Sequence, residues 1–333
     1  MTKYKNVWVV IETNSLGACT NVGLELLNPA RMIAKELNQK LIAVVIGNPI
    51  NIALEELKEY GVDGVIAVSS EIYTEYNTEV YEYALSTIAE KYKPNTVLIG
   101  ATTRGRDLAP RVASKLNAGL TADCTELSVD SENGNVLWAR PTFGGNLMAV
   151  IIAPETRPQM GTIRPGVFKK IKFEKQKTLN IIEEKIEIDT KKIRTRIIEK
   201  ILIDNLEKIK LEDAEIVIAV GRGIGSAKNL KMIEELADIL GANIACSRPI
   251  VEAGWLKHSH QVGQSGKTVS PSLYIAIGIS GAIQHISGMN GSETIIAINK
   301  DGNAPIFNVA DYGIVGDLFE VIPLLIEKIK SER

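Results

Sequence analysis

Short apolar segments alternate with helical segments along the first third of this chain, and this alternation limits the fold more than any other feature. The apolar segments are residues 6–12, 41–47, 64–69 and 96–100. The helical segments between and after them are residues 28–38, 53–61, 81–92 and 106–117. Strands that alternate with helices of this length need crossover connections, so the strands run parallel. The pattern therefore predicts an α/β domain built on a parallel sheet.

The pattern changes from about Leu120 onward. Three β-type segments, 136–140, 146–153 and 159–163, are separated by glycine and proline, and we expect them to add antiparallel strands to the sheet. The predicted fold class is thus α/β with two domains, of which the first is Rossmann-like with added antiparallel strands.

A charged stretch between Lys169 and Glu212 separates the two halves of the chain. Lysine and glutamate alternate there with β-branched residues. Because the charges of opposite sign are interleaved, we interpret the stretch as an edge strand plus a connector rather than a nucleic-acid-binding arm. We place the domain boundary here and predict domains 1–200 and 201–333.

The second half repeats the α/β pattern. Its apolar segments are residues 215–221, 242–246, 273–278 and 294–299. A helix is predicted to end near Leu240, and residues 311–329 are predicted to form a C-terminal helix from their apolar spacing. A doubly wound parallel sheet is the expected fold of this half, and 333 residues are enough for two such domains.

The composition of the chain argues against several classes of function. A formal net charge of -2 gives no electrostatic basis for binding nucleic acid or an anionic membrane, so a small molecule or a protein is the expected partner. Cys19, Cys124 and Cys246 form no CxxC pair, which argues against a disulfide framework or a zinc site. No apolar run of about 18 residues is present, so we predict a soluble, cytoplasmic protein without membrane insertion.

A glycine-rich turn, VGRGIGS at 220–226, follows a predicted strand. Its spacing is GxGxG and not the GxGxxG of dinucleotide-binding proteins. The next strand ends at Cys246-Ser247-Arg248 rather than at the acidic residue that would bind ribose. The residues therefore give weak support for an NAD site, and a plain glycine turn explains them equally well.

Arg248 and a polar loop at 261–271 are further candidates. An arginine at the carboxyl end of a parallel strand can point into a ligand crevice, or it can form a surface salt bridge. The loop, QVGQSGKTVSP, can wrap a ligand or be a simple turn. His258 and His260 lack further ligands nearby, so we interpret them as exposed loop histidines rather than a metal site.

The stretch GISGAIQH at 278–285 contains a Ser-Gly turn that a short helix is expected to follow. Amides at the start of that helix would face a diphosphate, and Gln284 and His285 would reach past it. The alternative is a histidine satisfied within the core. Asn299 and Asp317 suit a ribose or adenine contact, or simply helix and turn caps.

Several stretches together resemble the α subunit of electron transfer flavoproteins. The similarity lies in LYIAIGISGAIQH, AINKD, SRPIVEAGW and HQVGQSGK in the second half, and in GRDLAP and TIRPGVF in the first. It therefore spans nearly the whole chain. In that family the α subunit pairs with a β subunit and carries FAD in its C-terminal domain.

The resemblance implies a set of FAD contacts, all in the second domain. They are Arg222, Ser247, Arg248, Val262, Gly263, Gln264, Ser265, Ser280, Gly281, Ala282, Ile283, Gln284, His285, Asn299, Asp317 and Leu318. Within this set, Arg248 and His285 would place positive charge and a donor near flavin N1 and C2=O, and Ser265 would donate to N5. No residue is assigned a catalytic role, and no metal is expected.

The resemblance also implies an electron carrier that exchanges electrons with acyl-CoA dehydrogenase-type flavoenzymes. SRPIVEAGW and KHSHQ are similar to the branch that bifurcates electrons from NADH with a second FAD in β, for which ferredoxin or flavodoxin is a further partner. The residues leave two alternatives open. One is a non-redox module that binds an adenine nucleotide in the first domain, and the other is an NAD-dependent dehydrogenase.

Overall fold

The computed structural model describes residues 4–142, 147–199 and 211–332, and the chain divides into two compact units, Met1–Ile201 and Leu202–Arg333. The strands of the first unit are β1 Val7–Ile11, β2 Leu41–Ile46, β3 Gly64–Val68, β4 Thr96–Gly100, β5 Leu120–Cys124, β6 Glu126–Val129, β7 Val136–Thr142, β8 Leu147–Ile151, β9 Gln159–Ile163 and β10 Ile181–Glu184. Its α-helices are α1 Asn21–Glu36, α2 Asn51–Glu56, α3 Thr78–Tyr92 and α4 Thr103–Lys115.

The second unit is smaller. Its strands are β11 Ile216–Val220, β12 Asn243–Cys246, β13 Leu273–Ile277, β14 Thr294–Asn299 and β15 Tyr312–Val315. Its α-helices are α5 Leu230–Leu240, α6 Arg248–Glu252, α7 Ile283–Ile286 and α8 Leu318–Glu332. Within the described part of the chain, no helix is both long and apolar enough to cross a membrane.

A seven-stranded parallel sheet forms the centre of the first unit, in the order β10-β3-β2-β1-β4-β9-β5. Alternate residues of the central strands β1 to β4 enter two cores, one on each face. In β1, Val7 and Val9 pack on one side and Trp8 and Val10 on the other. Burial on both faces explains why these strands read as continuous apolar runs, and the parallel sheet predicted from the alternation is confirmed.

The antiparallel strands form a sheet of their own. β6, β7 and β8 pair in that order as a three-stranded antiparallel sheet. Trp138 of β7 packs in one core of the unit, against Gly161 of β9, where a Cβ atom would lie 2.2 Å from the Trp138 ring. The prediction of antiparallel strands is confirmed, but they do not join the main sheet.

The segment 159–163 was wrongly predicted as antiparallel. It forms β9, which lies between β4 and β5 and runs parallel to both. The strands next to it in sequence are antiparallel, whereas the strands it pairs with are remote in sequence. The local sequence pattern therefore predicted the wrong strand direction. The predicted edge strand in the charged stretch is confirmed, because β10 pairs with β3 at the sheet edge. Residues 200–210 of the predicted connector lie outside the described residues.

The second unit contains a five-stranded parallel sheet in the order β12-β11-β13-β14-β15. The doubly wound sheet predicted for this half is confirmed. Residues 312–315 were wrongly predicted as the start of the last helix. Tyr312, Ile314 and Val315 favour a strand, and they pair with β14 before α8 begins at Leu318.

Two other helices differ from their predicted bounds. α1 begins at Asn21, so Pro29 lies inside it rather than near its start. After β11 the chain makes two short 3-10 turns, and α5 begins only at Leu230. The glycines of 220–226 therefore form a turn and are not the first turn of a helix.

Candidate functional site

The order of strands in the second unit creates a crevice between β11 and β13. β12 lies on one side of β11 and β13 on the other, so the connections at the carboxyl ends of β11 and β13 leave in opposite directions. Ligands of open α/β sheets bind at such a switch point. The candidate site lies there.

Two turns pack directly against each other at the base of this crevice. The Gly221 amide donates to the Ile277 carbonyl (2.9 Å), and the Gly223 amide donates to the Gly278 carbonyl (3.1 Å). A Cβ atom on Gly221 would lie 2.3 Å from the Gly278 carbonyl oxygen. The glycines of the GxGxG turn thus allow close contact between the two turns, which keeps the crevice open above them.

A cavity of about 680 Å³ occupies the switch point, which is within the range of ligand pockets. Most of the predicted site residues line it. These are Arg222, Ser247, Arg248, Val262, Gly263, Gln264, Ser265, Ser280, Ala282, Gln284, His285 and Asn299. Residues that the sequence interpretation did not include among the contacts also line it, namely Gly221, Gly223, Pro249, Glu252, Gln261, Gly278, Ile279, Asp301, Ala304 and Pro305.

Free backbone amides edge this cavity. Within the described part of the chain, the amides of residues 280–284 donate no hydrogen bond. Gly281 has a φ of 89°, and a Cβ atom there would lie 2.2 Å from the Ile306 backbone nitrogen. Only glycine fits this turn, which leads into α7, and its unbonded amides suit an anionic group.

His285 is buried beneath the same wall. Its Nε2 atom lies 2.9 Å from the hydroxyl of Tyr274, a fully buried residue of β13. Burial lowers the pKa of His285 to about 4, and the Val262 backbone opposes that shift. The Nδ1 atom nevertheless has no hydrogen bond of normal geometry to any described residue. A pKa this low leaves His285 neutral at pH 7, so it can supply a hydrogen-bonding nitrogen, while the positive charge on this wall comes from arginine.

Arg248 combines the two interpretations that the sequence left open. It is the first residue of α6 and lines the cavity, yet its Nε atom pairs with Glu252 one helical turn later (2.8 Å). Both side chains are largely exposed. With Arg222 and Asp301 also on the wall, the cavity lining carries two positive and two negative side chains.

Four predicted contacts lie off the cavity wall. Gly281 shapes the turn, and Ile283 is exposed at the start of α7. Leu318 is buried in the core, and the Asp317 carboxylate accepts a hydrogen bond from the Phe319 amide (2.9 Å). Asp317 thus caps α8, which is one of the two roles that the sequence allowed.

Asn299 and the histidine pair also have structural partners. The Asn299 side chain donates to the Ile279 carbonyl (2.8 Å) and so ties β14 to the turn after β13. His258 is exposed, as predicted, but His260 is buried and bonds the Ile244 carbonyl (2.8 Å), so that prediction was wrong for His260. No group of three or more metal-ligating side chains occurs among the described residues.

The same position in the first unit is filled. Its switch point lies between β1 and β4, where a cavity of only about 20 Å³ is lined by Glu12, Tyr76, Tyr81 and Arg104, among others. Arg104 lies over the Tyr76 ring and donates to the Thr13 carbonyl (3.2 Å). This volume holds about one water molecule, so it offers no space for the adenine nucleotide of the alternative interpretation.

A parallel sheet whose switch point opens into a cavity edged by glycine turns and free amides is typical of α/β proteins that bind phosphate-containing nucleotide ligands. Comparison with known proteins identifies the family. The model of the "Electron transfer flavoprotein domain" matches residues 7–188, and that of the "Electron transfer flavoprotein FAD-binding domain" matches residues 210–290.

Known relatives match along their whole length. The electron transfer flavoprotein subunit α of Thermoanaerobacterium thermosaccharolyticum is 49% identical, over 99% of each chain. That of Megasphaera elsdenii is 45% identical, over 100% of this chain and 98% of the relative. The acryloyl-CoA reductase electron transfer subunit β of Anaerotignum propionicum is 40% identical, over 100% and 98%.

The chain therefore belongs to the electron transfer flavoprotein α-subunit family, which confirms the resemblance found in its sequence. Flavin binding and a role in electron transfer follow from that membership.

Proposed function

We propose that this chain binds FAD in the cavity of its second unit and acts as the α subunit of a heterodimeric electron carrier. The observation that carries the proposal is the row of free amides at residues 280–284, at the edge of a cavity large enough for a dinucleotide-like ligand. Backbone amides without an internal acceptor at the edge of a cavity favour an anionic ligand, and the diphosphate of FAD is one.

The residues around the cavity fit FAD in chemical type. The amides of residues 280–284 would hold the diphosphate, and Arg248 would set positive charge beside an anionic ligand. Neutral His285 and the Ser265 hydroxyl would offer hydrogen bonds to the ring system. Val262 and Ile279 would cover it with apolar surface, since both are buried on the wall. Bound FAD would supply the reversible uptake and release of electrons.

A β subunit is the proposed partner, and a flavoenzyme of the acyl-CoA dehydrogenase type is the proposed redox partner. The relative from Anaerotignum propionicum, which is named as an electron transfer subunit of a CoA-thioester reductase, supports the second assignment. We extend the proposal to the bifurcating branch, in which the β subunit holds a second FAD, NADH is the donor, and ferredoxin or flavodoxin is a further acceptor.

The visible absorption spectrum of the chain purified with its co-expressed β subunit tests this proposal. We expect flavin bands, bleaching on stepwise reduction with dithionite, and FAD as the released cofactor. Two FAD per heterodimer would support bifurcation, and one would exclude that part of the proposal. A colourless protein that stays colourless after FAD is added would contradict the proposed function.

Replacement of Arg248 by alanine should make reduction of the bound flavin harder, since it removes a fixed positive charge from the cavity wall. The expected result is a lower midpoint potential by spectroelectrochemical titration. Glu252→Gln is the matched control, because it removes the charge that pairs with Arg248 and should shift the potential in the opposite direction. Equal shifts of the same sign in both variants would argue against a direct role for Arg248.

A further inference from the structure

Gln261 is a buried polar residue on the cavity wall that neither the sequence interpretation nor the family match assigns. It is only 3% exposed and lies between His260 and Val262, both of which are also buried. Buried amide side chains are normally held by hydrogen bonds, so the partner of this side chain indicates what it does.

The backbone of Gln261 is fixed at both sides. The residue forms a parallel bridge with Cys246 at the end of β12, so it extends the sheet by one residue next to the cavity. Its carbonyl accepts from the Lys267 amide (2.7 Å), and the Gly263 amide donates to the Lys267 carbonyl (3.1 Å). These bonds close residues 261–267 into a tight loop, with Gln261 on its inner side and Ser265 at its exposed tip.

The side chain of Gln261 reaches across this loop to Ser265. Its Nε2 atom donates to the Ser265 hydroxyl oxygen (3.0 Å). That oxygen therefore acts as an acceptor on its buried side. Within the described chain, the Ser265 hydroxyl donates to no other residue. Its own proton is thus not used by Gln261 and is available to a ligand in the cavity that Ser265 lines.

We propose that Gln261 is a positioning residue that fixes the Ser265 hydroxyl as a hydrogen-bond donor toward the flavin. The inference rests on the proposed function, because it needs a flavin in this cavity. A hydrogen bond from a donor to the flavin ring becomes stronger when the ring gains electrons, so the donor favours the reduced state. Loss of the Gln261 amide removes this constraint, so the hydroxyl can rotate its proton away from the ring, which lowers the midpoint potential of the flavin.

The direction of the shift distinguishes the two orientations of the amide. If the carbonyl oxygen of Gln261 faced Ser265 instead, the hydroxyl would donate to Gln261 and would be lost to the ligand. Removal of the side chain would then free the donor and raise the potential. A lowered potential is expected only if Nε2 faces the hydroxyl.

A double-mutant cycle with the full heterodimer tests the inference. The variants are Gln261→Met, which has similar size but no amide, Ser265→Ala, and the two combined. Gln176→Met is the matched control, since the Gln176 amide donates to the Val62 carbonyl within the first unit and Gln176 does not line the cavity. For each variant we would measure FAD content first and then the midpoint potential. If Gln261→Met does not fold, Gln261→Glu replaces it, because the effect of its charge occurs in both backgrounds and cancels.

The expected result is a lower potential in Gln261→Met, no further shift when Ser265→Ala is already present, and no shift in Gln176→Met. A raised or unchanged potential, or the same shift in the Ser265→Ala background, would overturn the role of Gln261. Failure of the proposed function is seen separately, because the wild-type heterodimer would then contain no flavin at all.

Discussion

Both units contain a switch point in a parallel sheet, but side chains fill the one in the first unit, whereas the one in the second unit is open. In the first unit the strand ends are closed by Glu12, Tyr76 and Arg104, which leave about 20 Å³. In the second unit the turns after β11 and β13 carry glycines and leave about 680 Å³. Topology alone therefore does not make a ligand site. The residues that immediately follow the strands determine whether the switch point is a packed core or a binding cavity.

Replacement of Gly281 by valine should produce the largest effect, because it closes the open switch point. A side chain there meets the Ile306 backbone and must adopt a φ of 89°. The strain costs about 1–3 kcal/mol before the clash is added, so we expect FAD affinity to fall at least tenfold, measured by titration of the deflavinated heterodimer. Gly254→Ala is the control, since Gly254 has a φ of 70° with open space around it. Equal loss in both variants would show general destabilisation instead.

Acidification should destabilise the second unit through His285. Burial holds its pKa at about 4, below the value of about 6.5 for an unfolded histidine, so the native state binds fewer protons between these values. The contribution of neutral His285 to the free energy of unfolding is therefore fully present above pH 7. It is lost as the pH falls toward 4, and the loss is roughly 3 kcal/mol. Urea unfolding at pH 7 and 4.5 measures the loss. His285→Gln should remove most of it and His258→Gln, at an exposed site, should not. If His285→Gln lost as much stability between pH 7 and 4.5 as the wild type, the lowered pKa of His285 would not be the cause.

The first unit should show the opposite pH dependence at Glu12. Burial raises the pKa of this carboxyl, while the Thr102 hydroxyl and Arg104 offset part of the shift. The native state thus binds more protons than the unfolded chain, so wild type loses stability relative to Glu12→Gln as pH rises above about 4.3. Thermal unfolding of both proteins from pH 4 to 7 is the measurement. A difference that does not vary with pH would contradict the raised pKa.

Opening the first switch point should have the smallest effect. Arg104→Ala removes the contact with the Tyr76 ring and should cost about 0.5–1 kcal/mol of unfolding free energy. No affinity for AMP should appear by calorimetry, since Glu12, Tyr76 and Tyr81 still line the small cavity at these strand ends. Measurable AMP binding to this variant would show that the Arg104 side chain alone prevents the first switch point from binding a nucleotide.

Local sequence was enough to predict both parallel sheets, because continuous apolar runs and the helices between them are short-range signals. It failed where partners are distant along the chain. β9 lies between two parallel strands although its sequence neighbours are antiparallel, and β15 pairs with β14 instead of continuing into α8.

The same limit applies to the site. Turn residues such as Ser280 and Gln284 were predictable, since the motif that contains them is contiguous. Gln261 and Glu252 were missed, because their significance depends on contacts. Gln261 is positioned by its bridge to Cys246, and Glu252 reaches the cavity wall one helical turn after Arg248, with which it pairs. The buried state of His260 likewise arises from Ile244, on a different element.

Hydrogen exchange of the deflavinated heterodimer, measured by peptide with and without FAD, shows which of the two switch points binds the cofactor. FAD should slow exchange in peptides that cover residues 221–224, 247–252, 261–267 and 278–285, and should leave the strand ends at Glu12 and Thr102 unchanged. Protection at the strand ends of the first unit, with none at residues 278–285, would contradict this expectation.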